Sequence, residues 1–382
     1  MKKIVTIGEL GIIITGNTPP RSNPKLYGNY TPFIKATDIS ETEKYTYHPE
    51  EYYSEEGYNK YIKSLIPKGS TCVVTIGSIG KKMTMAHCDL FINQAMNAII
   101  PNENFDNEYV YYAVKNILPN IRMLDSGTAS GRENVSKSAF SKMQILIEDN
   151  IITQRRIAEI LSRYDSLIEN YQKQIKLLEE SAQRLYKEWF VDLRFPGHEN
   201  TKIVDGVPEG WEKICLGELV CFKRGKTITK KEIIEGNIPV VAGGTEPAYY
   251  CNNSNTGNRV ITISASGANA GYTRMYFEKI WASDCSFIDC SMTNYFHFVY
   301  CHLIANKIAI DNLQKGAAQP HVYPKDINAL ALCCPHNDIL DSFESKISYY
   351  FDLISSLQKQ IHKLTEARDR LLPKLMSGEI EV

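Results

Sequence analysis

No run of about 18 apolar residues occurs anywhere in the 382-residue chain, so a membrane-spanning helix is not expected. The first residues carry two lysines, Lys2 and Lys3, but Glu9 interrupts any apolar stretch behind them. A signal peptide is therefore not expected, and a cytoplasmic protein is. Charge of one sign is not in excess, since 43 basic residues face 44 acidic ones. This weighs against a protein that coats nucleic acid non-specifically, though not against a reader with local basic loops. There are ten cysteines, yet no C-x-x-C pair, so a disulfide framework or zinc ribbon is not indicated. The group Cys285, Cys290, His297, Cys301 and His302 has spacings that match no common zinc pattern, and no metal is expected.

Catalytic signatures are missing too. A phosphate-cradling G-x-x-x-x-G-K-[ST] loop fails at Val220 before Gly225-Lys226-Thr227, and at Thr75 before Gly80-Lys81-Lys82. Asn17-Thr18-Pro19-Pro20-Arg21 only approximates the [DN]-P-P-[FYW] motif of amino-methyltransferases and reads better as a turn. No G-x-S-x-G elbow or H-E-x-x-H helix is found. The chain is therefore expected not to be an enzyme.

What is present is a repeat. Gly8-Glu9-Leu10 with Gly16 returns as Gly217-Glu218-Leu219 with Gly225. Val73-Val74-Thr75-Ile76 with Gly80 is paired with Val260-Ile261-Thr262-Ile263 and Gly267, and Ser126-Gly127-Thr128-Ala129 with Lys315-Gly316-Ala317-Ala318. Gln172-Lys173-Gln174-Ile175 recurs unchanged as Gln358-Lys359-Gln360-Ile361. One unit of roughly 190 residues is duplicated.

Each unit opens with short β-branched runs broken by Gly, Asn and Pro. Thr71–Ile76, Asn97–Ile100, Val260–Ile263 and Phe296–Val299 read as strands, with a short helix near Asn107–Ile117. Each unit closes with a long helix. Ile157, Leu161, Tyr164, Ile168, Tyr171, Ile175, Leu178, Ala182, Leu185 and Trp189 form an unbroken a/d seam. The seam returns as Phe343, Ile347, Tyr350, Ile354, Leu357, Ile361, Leu364, Arg368, Leu371 and Leu375, with Arg368 its one polar member. Pro373 is expected to break or kink the last turn. Each seam spans about 50 Å, too long for one small domain to cover. The two are expected to cover each other as an antiparallel coiled coil, with a globular domain at either end and a pseudo-twofold axis.

The expected fold is thus α/β (α+β), two globular domains joined by two long helices. The segments are a first domain at 1–148, a helix at 150–194, a linker at 195–211, a second domain at 212–336 and a helix at 338–380. The turn chemistry of Phe195-Pro196-Gly197 and Asp205-Gly206-Val207-Pro208 marks the linker, and Trp211 opens the second domain.

Ser181–Gly197, Val207-Pro208-Glu209-Gly210-Trp211 and Leu364–Ile380 together resemble, respectively, the central conserved region, the lead-in to the second domain and the distal conserved region of type I restriction–modification specificity subunits. The resemblance covers essentially the whole chain. It implies a subunit without catalysis, whose two target-recognition domains each read half of a split, asymmetric site in double-stranded DNA. The paired helices would set the spacing and dock two methyltransferase subunits, which bind S-adenosylmethionine. A restriction subunit using ATP and magnesium joins them, and no cofactor belongs to this chain. A coiled-coil adaptor without DNA readout is the alternative.

Base readout favours Arg or Lys for guanine and Asn or Gln for adenine. Candidates in the first domain are Arg21, Lys35, Lys81, Lys82, Arg132, Asn134 and Lys137. In the second they are Arg224, Lys226, Arg259, Arg274, Gln319, His321 and Lys325. The loops 127–137 and 316–325 occupy equivalent positions. The dense tyrosines of the first domain (Tyr27, Tyr30, Tyr45, Tyr47, Tyr52, Tyr53, Tyr58 and Tyr61) read as sheet packing before base stacking. Arg155, Arg156, Tyr186, Lys187 and Phe190, outside the seam, are candidates for methyltransferase docking.

Overall fold

The computed structural model describes residues 2–125, 133–229, 233–316 and 319–382. The chain forms two compact units, residues 1–172 with 359–382 and residues 173–358. Each unit therefore takes in half of each long helix, a division that cuts across the sequence segments.

In the first unit a four-stranded antiparallel sheet runs in the order Gly11–Thr15, Met96–Pro101, Thr71–Val74, Met83–Met85. A second sheet places Tyr27–Ile34 between Glu51–Tyr53 and Phe91–Ile92. Lys2–Thr6 pairs with Gln144–Glu148. Strand Thr71–Val74 is buried along its whole length because it is covered on both faces. Val73 packs into a core with helix Asn107–Ile117, while Cys72 and Val74 pack with Ile34 and Ile92. Burial on both faces explains why its sequence is a continuous apolar run rather than an alternating one.

The second unit repeats this order. Its four strands are Lys223–Arg224, Cys285–Asp289, Val260–Ser264 and Thr273–Tyr276. Ile238–Val241 lies between Tyr249–Cys251 and Trp281–Ala282, and Glu212–Cys215 pairs with Ala331–Cys334. The hairpins fix the correspondence. Thr71 faces Met85 and Val73 faces Met83, as Ile261 faces Met275 and Ile263 faces Thr273. Val73 therefore corresponds to Ile263, not Val260, and the expected pairing of Val73–Ile76 with Val260–Ile263 is three residues out. The glycine that corresponds to Gly267 is likewise Gly77, not Gly80. Both adopt positive φ, and each donates its N–H to the equivalent loop, Gly77 to Glu133 O at 3.0 Å and Gly267 to Pro320 O at 3.1 Å. A run of apolar β-branched residues has little to mark its register, and hairpin hydrogen bonds decide it.

Phe296–Val299, expected as a strand, is the start of helix Phe296–Ala305, the counterpart of Asn107–Ile117. Its aromatic and β-branched residues favour strand, but tertiary capping overrides them. Glu344, from the second long helix, accepts the N–H groups of His297 (3.0 Å) and Phe298 (3.1 Å). These are among the donors a helix start leaves unpaired.

The long helices are Ile151–Tyr186 and Asn337–Ser377, of 36 and 41 residues. The second runs through Pro373 and ends four residues later, so the expected break is absent. The first ends in a π-type turn, Lys187–Val191, whose Trp189 and Phe190 join the aromatic core of the second unit. Among the described residues no helix is long and apolar enough to cross a membrane.

Within each unit the helix halves pair antiparallel. In the first unit Ile157 and Leu161 share a core with Leu372, Leu375 and Met376. In the second, Ala182, Tyr186 and Trp189 share one with Leu340, Phe343, Ile347 and Ile354. Every predicted seam residue is buried or half-buried, including Tyr164, Ile168, Tyr171, Ile175, Leu178, Leu185, Tyr350, Leu357, Ile361, Leu364 and Leu371. The seam is wider than two positions, since Ala158, Asp165 and Phe351 are buried beside it against the globular layers.

Arg368 finds an acidic neighbour inside the first unit. Its Nη1 lies 2.5 Å from Asp165 Oδ1, and both side chains are under a tenth exposed. The Tyr112 hydroxyl donates to Asp165 Oδ2 at 2.5 Å, which ties the domain helix to the pair. By the helix repeat, Asp165 corresponds to Phe351 and Arg368 to Ala182, both fully buried. One unit thus holds an ion pair where the other holds a large and a small apolar residue.

Two measurements check this packing. Arg368→Ala strands a buried carboxylate and is expected to cost about 3–5 kcal/mol in urea unfolding of the purified chain. His302 is buried in the second unit, with Nδ1 2.8 Å from the Tyr186 hydroxyl, and burial lowers its pKa to about 4. The unfolded chain takes up that proton near 6.5, so stability is present above this value and lost as pH falls to about 4. The loss is about 3 kcal/mol. A His302→Gln variant should lack that component of the acid sensitivity.

Candidate nucleic-acid interface

A basic concavity of the first unit lies at the end of strand Gly11–Thr15. Gly16 and Asn17 follow the strand and are held by N–H donation to Met96 O (3.1 Å) and Ile92 O (3.0 Å). Gly16 has no alternative, since a Cβ there would sit 2.2 Å from Ile92 O. The Asn17 side chain is fixed from two sides. Its Nδ2 donates to Ser64 Oγ at 2.7 Å, and its Oδ1 accepts from the Tyr53 hydroxyl at 2.9 Å. An open groove of ≈ 480 Å³ runs past Thr15, Asn17 and Ser64 and is lined by Lys60, Lys63 and Lys137. All three lysines are exposed, and no carboxylate lines the groove. Among the described residues none of the three makes an ion pair with a carboxylate. Lys137 opens the short helix Lys137–Lys142, whose start is capped by Ser136 Oγ. Three uncompensated ammonium groups beside fixed hydroxyl and amide groups suit a polyanion carrying hydrogen-bonding edges.

The same address in the second unit carries Arg224 and Lys226. Arg224 pairs with Ser286 as Thr15 pairs with Asn97. Gly225 donates to Cys285 O at 2.8 Å and Lys226 to Ala282 O at 2.9 Å, repeating the bonds of Gly16 and Asn17. Arg224 Nη2 pairs with Asp284 Oδ1, and Ser266 Oγ donates to Asp284 Oδ2. Ser266 in turn bridges to His321, whose ring stacks on Tyr323 with centroids 6.0 Å apart. Lys226 and Gln319 are exposed. The structure therefore gathers Arg224, Lys226 and His321 around one strand end, with Gln319 two residues before His321. In the first unit the equivalent loop brings Asn134, bridged to Ile76, and Lys137 to the corresponding side.

Other candidates lie elsewhere. Arg21 and Lys35 converge on Glu51, and the Arg21 guanidinium first, then Lys35, holds its carboxyl below the usual range. Lys82 reaches Ala36 O at 3.5 Å, and Lys81 is exposed beside Gly80. Arg259, in a left-handed conformation with φ 55°, turns to Asp352 on the second long helix. Arg274 is spent on Thr245 O (2.6 Å), Glu246 and the Tyr276 ring. Lys325 is exposed on Pro324–Asn328. Arg132 lies outside the described residues, as do Ser126–Ser130.

Two docking candidates are corrected. Tyr186 is buried, and Phe190 packs on Trp211, Phe298 and Phe343, so both are core residues of the second unit. Tyr186 shares the buried flanking position of Ala158 and Asp165, and Phe190 lies in the π-type turn. Arg155, Arg156 and Lys187 are exposed, though Lys187 pairs with Asp192 at 2.6 Å. Sheet packing accounts for four of the eight tyrosines, since Tyr53 is fully buried against Phe33 and Phe91 with Tyr27, Tyr58 and Tyr61 around it, while Tyr30 and Tyr47 are exposed. The cysteine–histidine group is dispersed. Cys285 is buried in a sheet core, Cys290 Sγ contacts Asn258 O, and His297 Nδ1 meets Glu344 at 2.6 Å.

Sequence reasoning missed Lys60 and Lys63, and with them Asp284 and Ser266. The basic and aromatic run Lys60-Tyr61-Ile62-Lys63 was one available signal. The other was the repeat itself, which sets Thr15 beneath Arg224.

Comparison with known proteins agrees with the duplication. The family model described as the type I restriction modification DNA specificity domain matches residues 2–180 and again 208–367. The type I restriction enzyme MjaIX specificity subunit of Methanocaldococcus jannaschii is 29% identical, over 100% of this chain and 93% of its own. The putative type I specificity subunit S.MgeORF438P of Mycoplasma genitalium is 28% identical, over 82% of each chain. The crystal structure of a type I restriction–modification S subunit from M. genitalium superposes with a TM-score of 0.59 at 19% identity. It covers 98% of this chain and 96% of that one, a likeness of fold.

The groove makes a prediction about salt. Changing Lys60, Lys63 and Lys137 singly to Gln should weaken duplex binding by the assembled protein for all sequences alike. Each change should lower the slope of log K against log salt by about one. Fluorescence anisotropy across a salt series reads both quantities.

Proposed function

The chain belongs to the type I restriction–modification DNA specificity family, and we propose that its two strand-end sites are where each unit reads its half of a split DNA sequence. The protein is the specificity subunit of such a system: it binds DNA and selects the site on which the other subunits act. Its two units are separate readers, so the site is bipartite, and the paired helices fix its spacing.

One observation carries the assignment of the sites. The lysine-lined groove of the first unit and the basic residues Arg224 and Lys226 of the second occupy the same position in the repeat. Two units with different side chains put their cationic, hydrogen-bonding groups at one structural address. Within each site lysines position the phosphate backbone, while residues at the strand end and on the loops through Asn134 and His321 face base edges.

Catalysis belongs to partners. Two methyltransferase subunits carrying S-adenosylmethionine dock on the long helices, and restriction subunits using ATP and magnesium complete the complex in the cytoplasm. The exposed faces of the helices supply a docking surface, with Leu177 61% and Tyr349 68% exposed and Arg155 and Arg156 nearby in sequence to Ile152. Apolar groups displayed singly among charges are ordinary on a surface, but several along long helices suit a protein partner.

Genome-wide mapping of methylated bases tests this reading, in cells that hold the partner methyltransferase with and without this chain. A split, asymmetric motif that vanishes with the chain is the expected result. An unchanged methylation pattern would remove the specificity role.

A further inference from the structure

The two sites differ in chemistry, and the difference concerns which base each can read. In the second unit the strand-end residue is Arg224, whose Nη2 is paired with Asp284. Asp284 is itself held by Ser266. In the first unit none of the three has a counterpart. Thr15 stands for Arg224 and Ile76 for Ser266. Gln94-Ala95 fills the place of Asp284, since Thr75 donates to Ala95 O as Ala265 donates to Asp284 O.

An arginine clamped by a carboxylate is poorly suited to a phosphate. The pair has no net charge, and Asp284 repels the backbone. The neighbouring Lys226, exposed and without such a partner among the described residues, is the better phosphate contact. What the carboxylate does supply is orientation. Arginine carries five donors in a rigid planar fork. Fixing one edge of the fork holds its plane and lowers the entropy lost when the remaining donors engage a ligand. Arg224 is still 43% exposed, so those donors are accessible. The DNA edge that matches a planar pair of donors is guanine, with O6 and N7 both acceptors in the major groove.

Resting on the function proposed above, we infer that Arg224, positioned by Asp284 and Ser266, reads one guanine in the second unit's half-site. The first unit has no arginine–guanine contact at the equivalent position. Arg224 is the specificity-determining residue, and Asp284 and Ser266 act through it.

The test uses the complex assembled with its methyltransferase subunits and duplexes carrying the chain-dependent motif. Each guanine is replaced in turn by 7-deazaguanine, which lacks the N7 acceptor. The wild-type complex should lose roughly 5- to 150-fold in affinity at one guanine of one half-site. Arg224→Lys keeps the charge but loses the fork. It should bind the natural duplex more weakly and become indifferent to 7-deazaguanine at that position, while the other half-site keeps its normal discrimination. Asp284→Asn should show part of the same loss at the same guanine. The idea is overturned if Arg224→Lys retains full sensitivity at every guanine, or if the half of the motif whose recognition it weakens contains no guanine. Loss of discrimination in both halves would indicate general misfolding and also counts against it, with thermal melting of the variant as the check. If the wild type yields no chain-dependent motif at all, the proposed function itself has failed.

Discussion

The register of the long helices in the first unit depends on one buried contact, Arg368 against Asp165. Heptad seams of Ile, Leu and Tyr pack acceptably in several offsets, because apolar burial is non-directional. A buried charge is not so tolerant, since sliding by one turn would leave both ions unpaired out of water. The Tyr112 hydroxyl completes the shell of Asp165, so the domain helix Asn107–Ile117 is fixed by the same contact. Desolvation, with Asp165 next, drives the Tyr112 phenol far above its ordinary pKa, and it remains a donor throughout the usable pH range. Beside it Lys115 is half-buried, and desolvation lowers its pKa to about 8, with Asp165 opposing that fall. In the second unit the same positions are Phe351 and Ala182, and size complementarity replaces charge. The two halves of the helix pair are therefore chemically distinct. Pairing two copies of the first helix in this register would set Asp165 against Ala182, and pairing two of the second would set Arg368 against Phe351. Each leaves a buried charge alone, so the pairing of the first helix with the second is favoured over like with like.

Much of this architecture was legible in the amino-acid sequence. The seam from Ile157 to Trp189 and its return from Phe343 to Leu375 announced two long helices, because a period of 3.5 sustained over many turns has few other meanings. Thr71–Val74 and Asn107–Ile117 were legible for local reasons. Phe296–Val299 was not, because its helix depends on Glu344, far along the chain. Tyr186 was misplaced because the buried stripe takes in the position after the seam, as at Ala158 and Asp165, and Phe190 because it lies in the π-type turn, which departs from the helical count. Pro373 sits inside its helix because packing of Leu372 and Leu375 outweighs one missing hydrogen bond.

The sites were less legible than the fold. Composition singles out basic residues, but Arg259 and Arg274 show that an arginine is as readily consumed by Asp352 or Glu246. Distinguishing the two kinds needs the carboxylates that face them, and these are distant in sequence. Asp284 lies sixty residues from Arg224. The repeat helped only once hairpin registers had aligned it, since a four-residue apolar match was three positions out.

The tight glycines at the strand ends have a consequence for how such a protein changes over time. Gly16 and Gly225 are held by close approach of neighbouring carbonyls, at 2.2 and 2.3 Å from a would-be Cβ. The residues just before them, Thr15 and Arg224, are exposed and support no core. The backbone path past the groove is thus fixed by a residue with no side chain to vary, while its neighbour is held only through its side-chain tip, Thr15 to Asn97 and Arg224 to Asp284. A substitution at that neighbour exchanges one side-chain contact at the strand end and leaves the backbone path, set by the glycine, as it was. Novelty in this molecule is cheap at the rim of the sheet and costly one residue further on.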